Sequence, residues 1–304
     1  MIILKIKGGL GNQLFQYATG RALSIHLDTE LKLDLSFYEN PQYSKVYRLD
    51  KFNVKFAIAR NSEFTNLKNL NEVPGIYKVL KKLKLNIYPY FKKSHVIEHD
   101  VLKLLNFKIK PNCDYYIEGW LGNEKYFKSH REIILHDLKA DKLLNIENLE
   151  LQKEIKLVDS VAVHVRRGDY LSNTYFANIP NEYYHVAIKN ASSEIKNPVF
   201  YFFSDDIAWA KEHFSKQQNI KFIENNSVAD TFWSTTGDIA DLMLMRTCKH
   251  QIIANSTFSW WGAWLNQNPW KKVFCPATWY TNKKAQKRFE TKNIIPSEWI
   301  KIKF

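Results

Sequence analysis

Cysteine is scarce in this chain. Cys113, Cys248 and Cys275 are the three among 304 residues; they lie far apart, and no C-x-x-C spacing occurs. An odd, scattered set argues against a disulfide framework and a cysteine-based metal site, and fits a reducing cytosol. Long apolar runs are also missing. Nothing approaches the ~20 consecutive apolar residues that a membrane-spanning helix needs, and the apolar run within Met1–Lys7 is too short for a signal peptide. Acidic residues are in deficit: 31 Asp and Glu face 44 Lys and Arg, a net charge of +13. That imbalance points to an anionic partner, which a nucleotide, a nucleic acid or an anionic membrane surface would supply. What is present is ordinary for a globular chain, 45% hydrophobic and 25% charged, and its length accommodates two domains.

The most informative stretch runs from Val161 to Tyr170. Val161, Val163 and Val165 alternate with Ala162, His164 and Arg166, a strand pattern that puts His164 and Arg166 on one face. Arg166-Arg167-Gly168-Asp169 follows at the strand end, where open α/β sheets bind ligands. Two neighbouring guanidiniums repel each other, and a phosphate or pyrophosphate would relieve that repulsion through paired hydrogen bonds. Surface carboxylates are the competing partners.

The first half opens with an apolar strand, Ile2–Ile6, that runs into Gly8-Gly9-Leu10-Gly11-Asn12-Gln13. Leu14, Phe15, Ala18, Ala22, Leu23 and Ile25 then recur at helical spacing, and Glu30–Leu35 reads as a second strand. The glycine loop fits neither a dinucleotide fingerprint, whose sixth position is Leu14 here, nor a P-loop. It remains a backbone loop at a helix start that can approach an anion closely, with the Asn12 amide added. From Phe37 to about Leu105 the pattern weakens. Lys78, Lys81, Lys82, Lys84, Lys92 and Lys93 form a basic stretch that is either a solvated face or a surface for anionic lipid. Tyr115–Trp120 reads as a strand, Glu124–His136 as a helix, and Asn145–Lys156 as a polar helix carrying the domain boundary.

The second half repeats one theme. A strand at Val199–Phe203 runs into Ser204-Asp205-Asp206, and another at His250–Ala254 runs into Asn255-Ser256-Thr257-Phe258-Ser259. Lys221–Ile223 and Val273–Pro276 are shorter strand candidates, and Pro180–Ile195 is a helix with Asn181 as its cap. Alternating strands and helices predict a parallel sheet with these ends on one edge. Arginines there suit a diphosphate, carboxylates suit ribose hydroxyls or a guanine edge, and the helix start after Ser256 suits phosphate oxygens. Trp260, Trp261 and Trp264 read as packing residues of that last helix. Asp241, on the apolar helix Asp238–Met245, needs a partner, either Arg246 or a base edge. The Lys283, Lys284, Lys287, Arg288, Lys301 and Lys303 tail reads as a solvated basic surface.

Gly8–Ala18, His164–Tyr170, Phe203–Asp206 and Asn255–Trp264 together resemble the bacterial α-1,2-fucosyltransferases that use GDP-fucose, glycosyltransferase family 11. The arginine motif is shared with α-1,6- and protein O-fucosyltransferases, and 37–149 carries little of the resemblance. The resemblance implies a GT-B-like fold, two Rossmann-like α/β domains facing a cleft: 1–155 on the acceptor side and 156–304 binding GDP-fucose. It implies inversion at the fucose carbon and no metal or other cofactor. Carried over by position, Arg166 grips the β-phosphate with Arg167 in support. His164, Asp205 and Asp241 face the nucleoside, and Ser256, Thr257 and Phe258 close around the diphosphate. Ser204 and Asn255 complete the donor set, and Gly11 and Asn12 approach from the first domain near the fucose. Thr174 occupies the position where some α-1,6-transferring relatives have a glutamate. Asp169 is then the nearest carboxylate, as base or as an orienting group for the arginines.

The expected acceptor is the 2-hydroxyl of a terminal galactose on an oligosaccharide or lipid-linked glycan. The expected location is the cytoplasm, with peripheral contact to an anionic membrane and no nucleic acid. Two other classes compete. An NAD(P)-dependent oxidoreductase would rest on the glycine loop and on Asp34 at the end of the second strand. A non-catalytic nucleic-acid-binding protein would rest on charge and aromatics, although its lysines are scattered and no RNA motif occurs.

Overall fold

The computed structural model describes residues 1–43, 45–65, 67, 95–97, 113–168, 179–224, 226, 237–280 and 294–304. The basic stretch 78–93, Asp169, Thr174 and the lysines of 281–293 lie outside these. The chain divides into two compact units, Met1–Leu138 and Lys139–Phe304.

In the first unit, β1 (Ile2–Lys5), β2 (Leu31–Asp34), β3 (Ala57–Ile58), β4 (His95–Ile97) and β5 (Tyr115–Glu118) form a parallel sheet of order β3-β2-β1-β5-β4. β1 is buried throughout its apolar positions, as an inner strand of a parallel sheet must be. Helix α1 (Leu10–His26) follows it directly after Gly9, the short α2 (Asn61–Thr65) comes after β3, and α3 (Arg131–Asp137) closes the unit. The helix expected over Glu124–His136 is broken: two single 3₁₀ turns, Glu124–Tyr126 and Lys128–His130, precede α3. Asn123 accepts from the Lys125 N–H and so starts the first of these turns.

The second unit begins earlier than the expected 155/156 boundary. Helix α4 (Ile146–Leu157) belongs to it, because Ile155 is buried in the same cluster as Ala162, Tyr201, Leu244 and Met245. Its sheet holds β6 (Asp159–Val165), β7 (Pro198–Ser204), β8 (Ile220–Phe222), β9 (His250–Ile252), β10 (Val273–Pro276) and β11 (Ile300–Ile302). The order is β11-β10-β9-β6-β7-β8, and every pairing is parallel.

Strand alternation builds a core on each face. Val161, Val163 and Val165 pack with Phe200, Phe202, Tyr183 and Ala187 of α5 (Asn181–Glu194) and Phe214 of α6 (Ile207–Phe214). Ala162, Tyr201 and Phe203 pack with Leu244 and Met245 of α7 (Gly237–Thr247). Helix α8 (Thr257–Leu265) buries Trp260, Trp261 and Trp264, and the Trp260 indole N–H donates to the Ile294 carbonyl at 2.7 Å. The tryptophans are therefore packing residues, as their spacing beside Gly262 and Ala263 indicated. Asn181 is the first helical residue rather than the cap: Pro180 holds the cap position, and no side chain caps α5. No helix among the described residues is long and apolar enough to cross a membrane.

Candidate active site

A parallel sheet delivers all its strand ends to one edge, and in the second unit that edge gathers the polar motifs. Val165 pairs with Ser204 and Val163 with Ile252, so Arg166 emerges beside Asp205, and the turn into α8 lies on the other flank. Arg166 Nη1 meets Asp205 Oδ2 at 2.8 Å, and the Arg167 N–H donates to Asp205 Oδ1 at 2.9 Å. One carboxylate therefore fixes both the turn and the guanidinium. A β-carbon at Gly168 would run into Asp205 Oδ2, so a side chain there would have to displace the carboxylate from Arg166.

The two arginines part company. Arg167 is one residue on from Arg166 and turns to Asp206, with Nε donating to Oδ2 at 3.1 Å. Its guanidinium lies 4.2 Å from the Trp209 ring centroid, and that ring stacks on His213. Asp206 also caps α6 by accepting from the Trp209 N–H, and the Asp206 N–H donates to Ser204 Oγ. The expected pair of guanidiniums on one ligand is thus resolved into two roles. Arg166 stands at the edge, and Arg167 anchors the turn. Asp205, expected to face a nucleoside, here spans Arg166 and the Arg167 backbone.

His164 is buried on the face shared with Arg166. Its Nδ1 meets Ser259 Oγ at 2.5 Å, Phe258 packs 5.3 Å away between ring centroids, and Ser259 Oγ accepts from the Ala254 N–H. Burial, helped by the Arg166 charge, pushes the imidazole pKa down to about 3, so the ring is neutral. His164 therefore ties the end of β6 to the start of α8. Ser256 is buried at the cap position of α8 without a side-chain cap bond, and Thr257 and Phe258 are half-buried beside it. Asn255 is held by its amide, which donates to the Trp279 carbonyl at 2.9 Å.

Asp241 does not pair with Arg246, which binds Asp141 at 3.1 Å. It accepts instead from Asn226 Nδ2 at 2.8 Å, and Asn226 exchanges amide bonds with Asn148 of α4. Burial raises its pKa to about 7, against the pull of the Asn226 bond and with a smaller push from Asp238.

Gly11 and Asn12 stand in the first unit, in the opening turn of α1. Gly8 has φ +83°, and the Asn12 amide packs over its α-carbon. The loop is fixed by neutral amides that the motif reading passed over. Gln13 Nε2 donates to the carbonyls of Gly8 (3.1 Å) and Val46 (2.8 Å), and its Oε1 accepts from the Arg48 N–H at 2.9 Å. Gln16 accepts from the Lys7 N–H and donates to the Gly119 carbonyl. The available signal was two glutamines three residues apart among the apolar positions of α1; both are fully buried, where amides must find partners. Asp34, the carboxylate of the oxidoreductase reading, is buried and accepts from the Tyr116 hydroxyl at 2.6 Å and the Ser36 N–H at 3.0 Å. A ribose-binding acid needs an open oxygen, so this arrangement counts against that class. Among the described residues no three His, Cys, Asp or Glu side chains converge as metal ligands.

Known proteins resemble this chain in sequence and in fold. The chain is 32% identical to an alpha-1,2-colitosyltransferase of Escherichia coli over 99% of both chains. It is 30% identical to the O-antigen biosynthesis glycosyltransferase WbnK of Escherichia coli, over 93% of this chain and 96% of that one. Among solved structures, the fucosyltransferase NodZ from Bradyrhizobium superposes with a TM-score of 0.51 at 12% identity, covering 86% of this chain and 91% of that one. A NodZ alpha-1,6-fucosyltransferase soaked with GDP-fucose superposes with a TM-score of 0.50 at 13% identity, covering 87% and 91%. The two parallel-sheet units thus have the GT-B-like fold expected from the motifs. The model of glycosyl transferase family 11 matches residues 1–303, and the chain belongs to that family.

Proposed function

We propose that this glycosyltransferase moves L-fucose from GDP-β-L-fucose to the 2-hydroxyl of a terminal galactose, with inversion and without a metal ion. The observation that carries the reading is Arg166, held by Asp205 at the carboxyl end of β6 on the face where His164 meets the α8 start. GDP leaves with negative charge while the fucose ring gains oxocarbenium character. A guanidinium fixed in advance and the N–H groups at the start of α8 stabilise that leaving charge without reorganising. Neutral His164 adds no charge of its own, and its contribution is to hold the two elements in register. A β-linked donor and an α-linked product require one displacement. Asp169 is the proposed base or orienting carboxylate.

The colitosyltransferase among the relatives supports a second donor, GDP-colitose, on the same scaffold. Purified protein is to be incubated with GDP-fucose or GDP-colitose, a panel of β-galactosides and EDTA, followed by NMR of the product linkage. An α-1,2-fucosylated product is the expected outcome. Transfer from GDP-colitose alone would reassign the donor, and absence of transfer and hydrolysis with both would overturn the reading. We further propose a cytoplasmic enzyme that docks peripherally on anionic lipid. The net charge of +13 supports this, as do Trp270 (81% exposed) and Leu157 (84% exposed). Flotation with anionic liposomes at low salt tests it, and a protein that stays in the bottom fraction does not dock.

A further inference from the structure

The segment after β2 brings four aromatic rings to the edge of the first unit's sheet, and the donor chemistry uses none of them. The strands of that sheet are all parallel, so the chain leaves β1 and β2 at the same edge. Two anchors tie the segment to the glycine loop there. The Tyr38 hydroxyl donates to the Gly8 carbonyl at 2.9 Å, and Gln13 joins Gly8 to Val46 and Arg48. Within this frame Phe37 and Tyr43 stack with centroids 4.3 Å apart and planes 12° from parallel. Tyr38 meets Phe37 edge-on at 5.1 Å and lies 5.8 Å from Tyr47.

A cluster built only for packing would bury its rings and pair its hydroxyls. This one pairs the Tyr38 hydroxyl but leaves one ring open and another hydroxyl unpaired. Tyr43 is 47% exposed although Phe37 supports it from one side. The Tyr47 hydroxyl is buried and has no hydrogen-bond partner among the described residues. A rigid ring offered to solvent at the ligand-binding edge of a parallel sheet suits a molecule with one apolar face and a rim of hydroxyls. A galactopyranoside has that shape: its C–H face lies on an aromatic ring while its hydroxyls reach polar groups.

We propose that Phe37, Tyr38, Tyr43 and Tyr47 form the acceptor-sugar platform, with Tyr43 as the ring that stacks on the galactoside. The assignment rests on the glycosyl-transfer reading for its choice of sugar. The Gly8–Asn12 loop is its floor, and Gln13 and Tyr38 are positioning residues that hold floor and rings together.

The test is saturation-transfer NMR of the full-length protein with lactose and related β-galactosides, with and without saturating GDP. Tyr43→Ala is expected to weaken galactoside binding about tenfold, and Tyr43→Trp to restore it. Tyr43 is exposed, so its replacement leaves the core intact. Galactoside binding unchanged in Tyr43→Ala overturns the platform, as does a wild-type protein that binds no sugar of the panel. GDP affinity, measured by calorimetry on the same samples, reports on the donor reading separately: sugar binding lost only in the variants, with no GDP binding in any sample, would uphold the platform and strike the donor assignment.

Discussion

Two loops in this molecule occupy equivalent places and are built from opposite materials. Each follows an inner strand of a parallel sheet and leads toward a helix. After β1 the chain is held mostly by neutral groups: Gln13, Gln16 and the Tyr38 hydroxyl bind backbone carbonyls and N–H groups, beside one Lys7–Glu118 ion pair. After β6 it is held by charge, with Asp205 on Arg166 and Asp206 on Arg167. Topology decides where a ligand edge lies, and the side chains then decide what the edge accepts. A neutral frame lined with aromatics suits an uncharged sugar. A pre-paired guanidinium beside a helix start suits an anion.

The sharpest way to break the contrast is Arg166→Ala. Transfer should fall about 10²- to 10³-fold with the fold retained, since one preorganised donor to a leaving charge is worth roughly 3–4 kcal/mol. Arg166→Lys should recover only part of that, because an ammonium lacks the planar fork; steady-state kinetics of both variants decide it. On the neutral edge the corresponding change is Gln13→Ala. It removes one of the two bonds to the Gly8 carbonyl and the Gln13 bonds to the Val46 carbonyl and the Arg48 N–H, and should cost about 1–2 kcal/mol in urea unfolding.

His164 supplies a pH test. Its folded-state pKa, about 3, lies below the ordinary value near 6.5, so folding favours the neutral ring. Its contribution is complete above pH 6.5 and declines by about 1.4 kcal/mol per unit as pH falls toward 3. His164→Gln should flatten that part of the stability–pH curve, and an unchanged slope would contradict the assignment. The smallest expected effect is that of Trp209→Leu, which removes the ring beneath Arg167. A loss of about 1 kcal/mol and a several-fold rise in donor KM are anticipated, with transfer otherwise surviving.

Much of the site was legible because strand alternation and sheet topology are strong rules. The period-two pattern of Val161–Val165 put His164 and Arg166 on one face, and the parallel order placed Asp205 and the α8 turn beside the arginines as expected. The separation of Arg166 from Arg167 follows from the same alternation, yet adjacency in sequence suggested a shared ligand. The domain boundary was misplaced because α4 carries few apolar residues, and Ile155, which seats it, is one side chain among charges. β11 was missed because Ile300–Ile302 is too short to carry a period. Asp241 needed a partner, and sequence distance favoured Arg246; Asn226, 15 residues away, is brought in only by the turn after β8.

The opposed bearings of Arg166 and Arg167 make the last turn of β6 intolerant of length change. Deleting one residue between Asp159 and Val165 would rotate everything downstream by half a period. Arg166 would then point toward Trp209, Arg167 would inherit the edge, and His164 would be forced among valines. Variation around this strand is thus confined to substitution, because a shorter or longer β6 would take Arg166 away from Asp205.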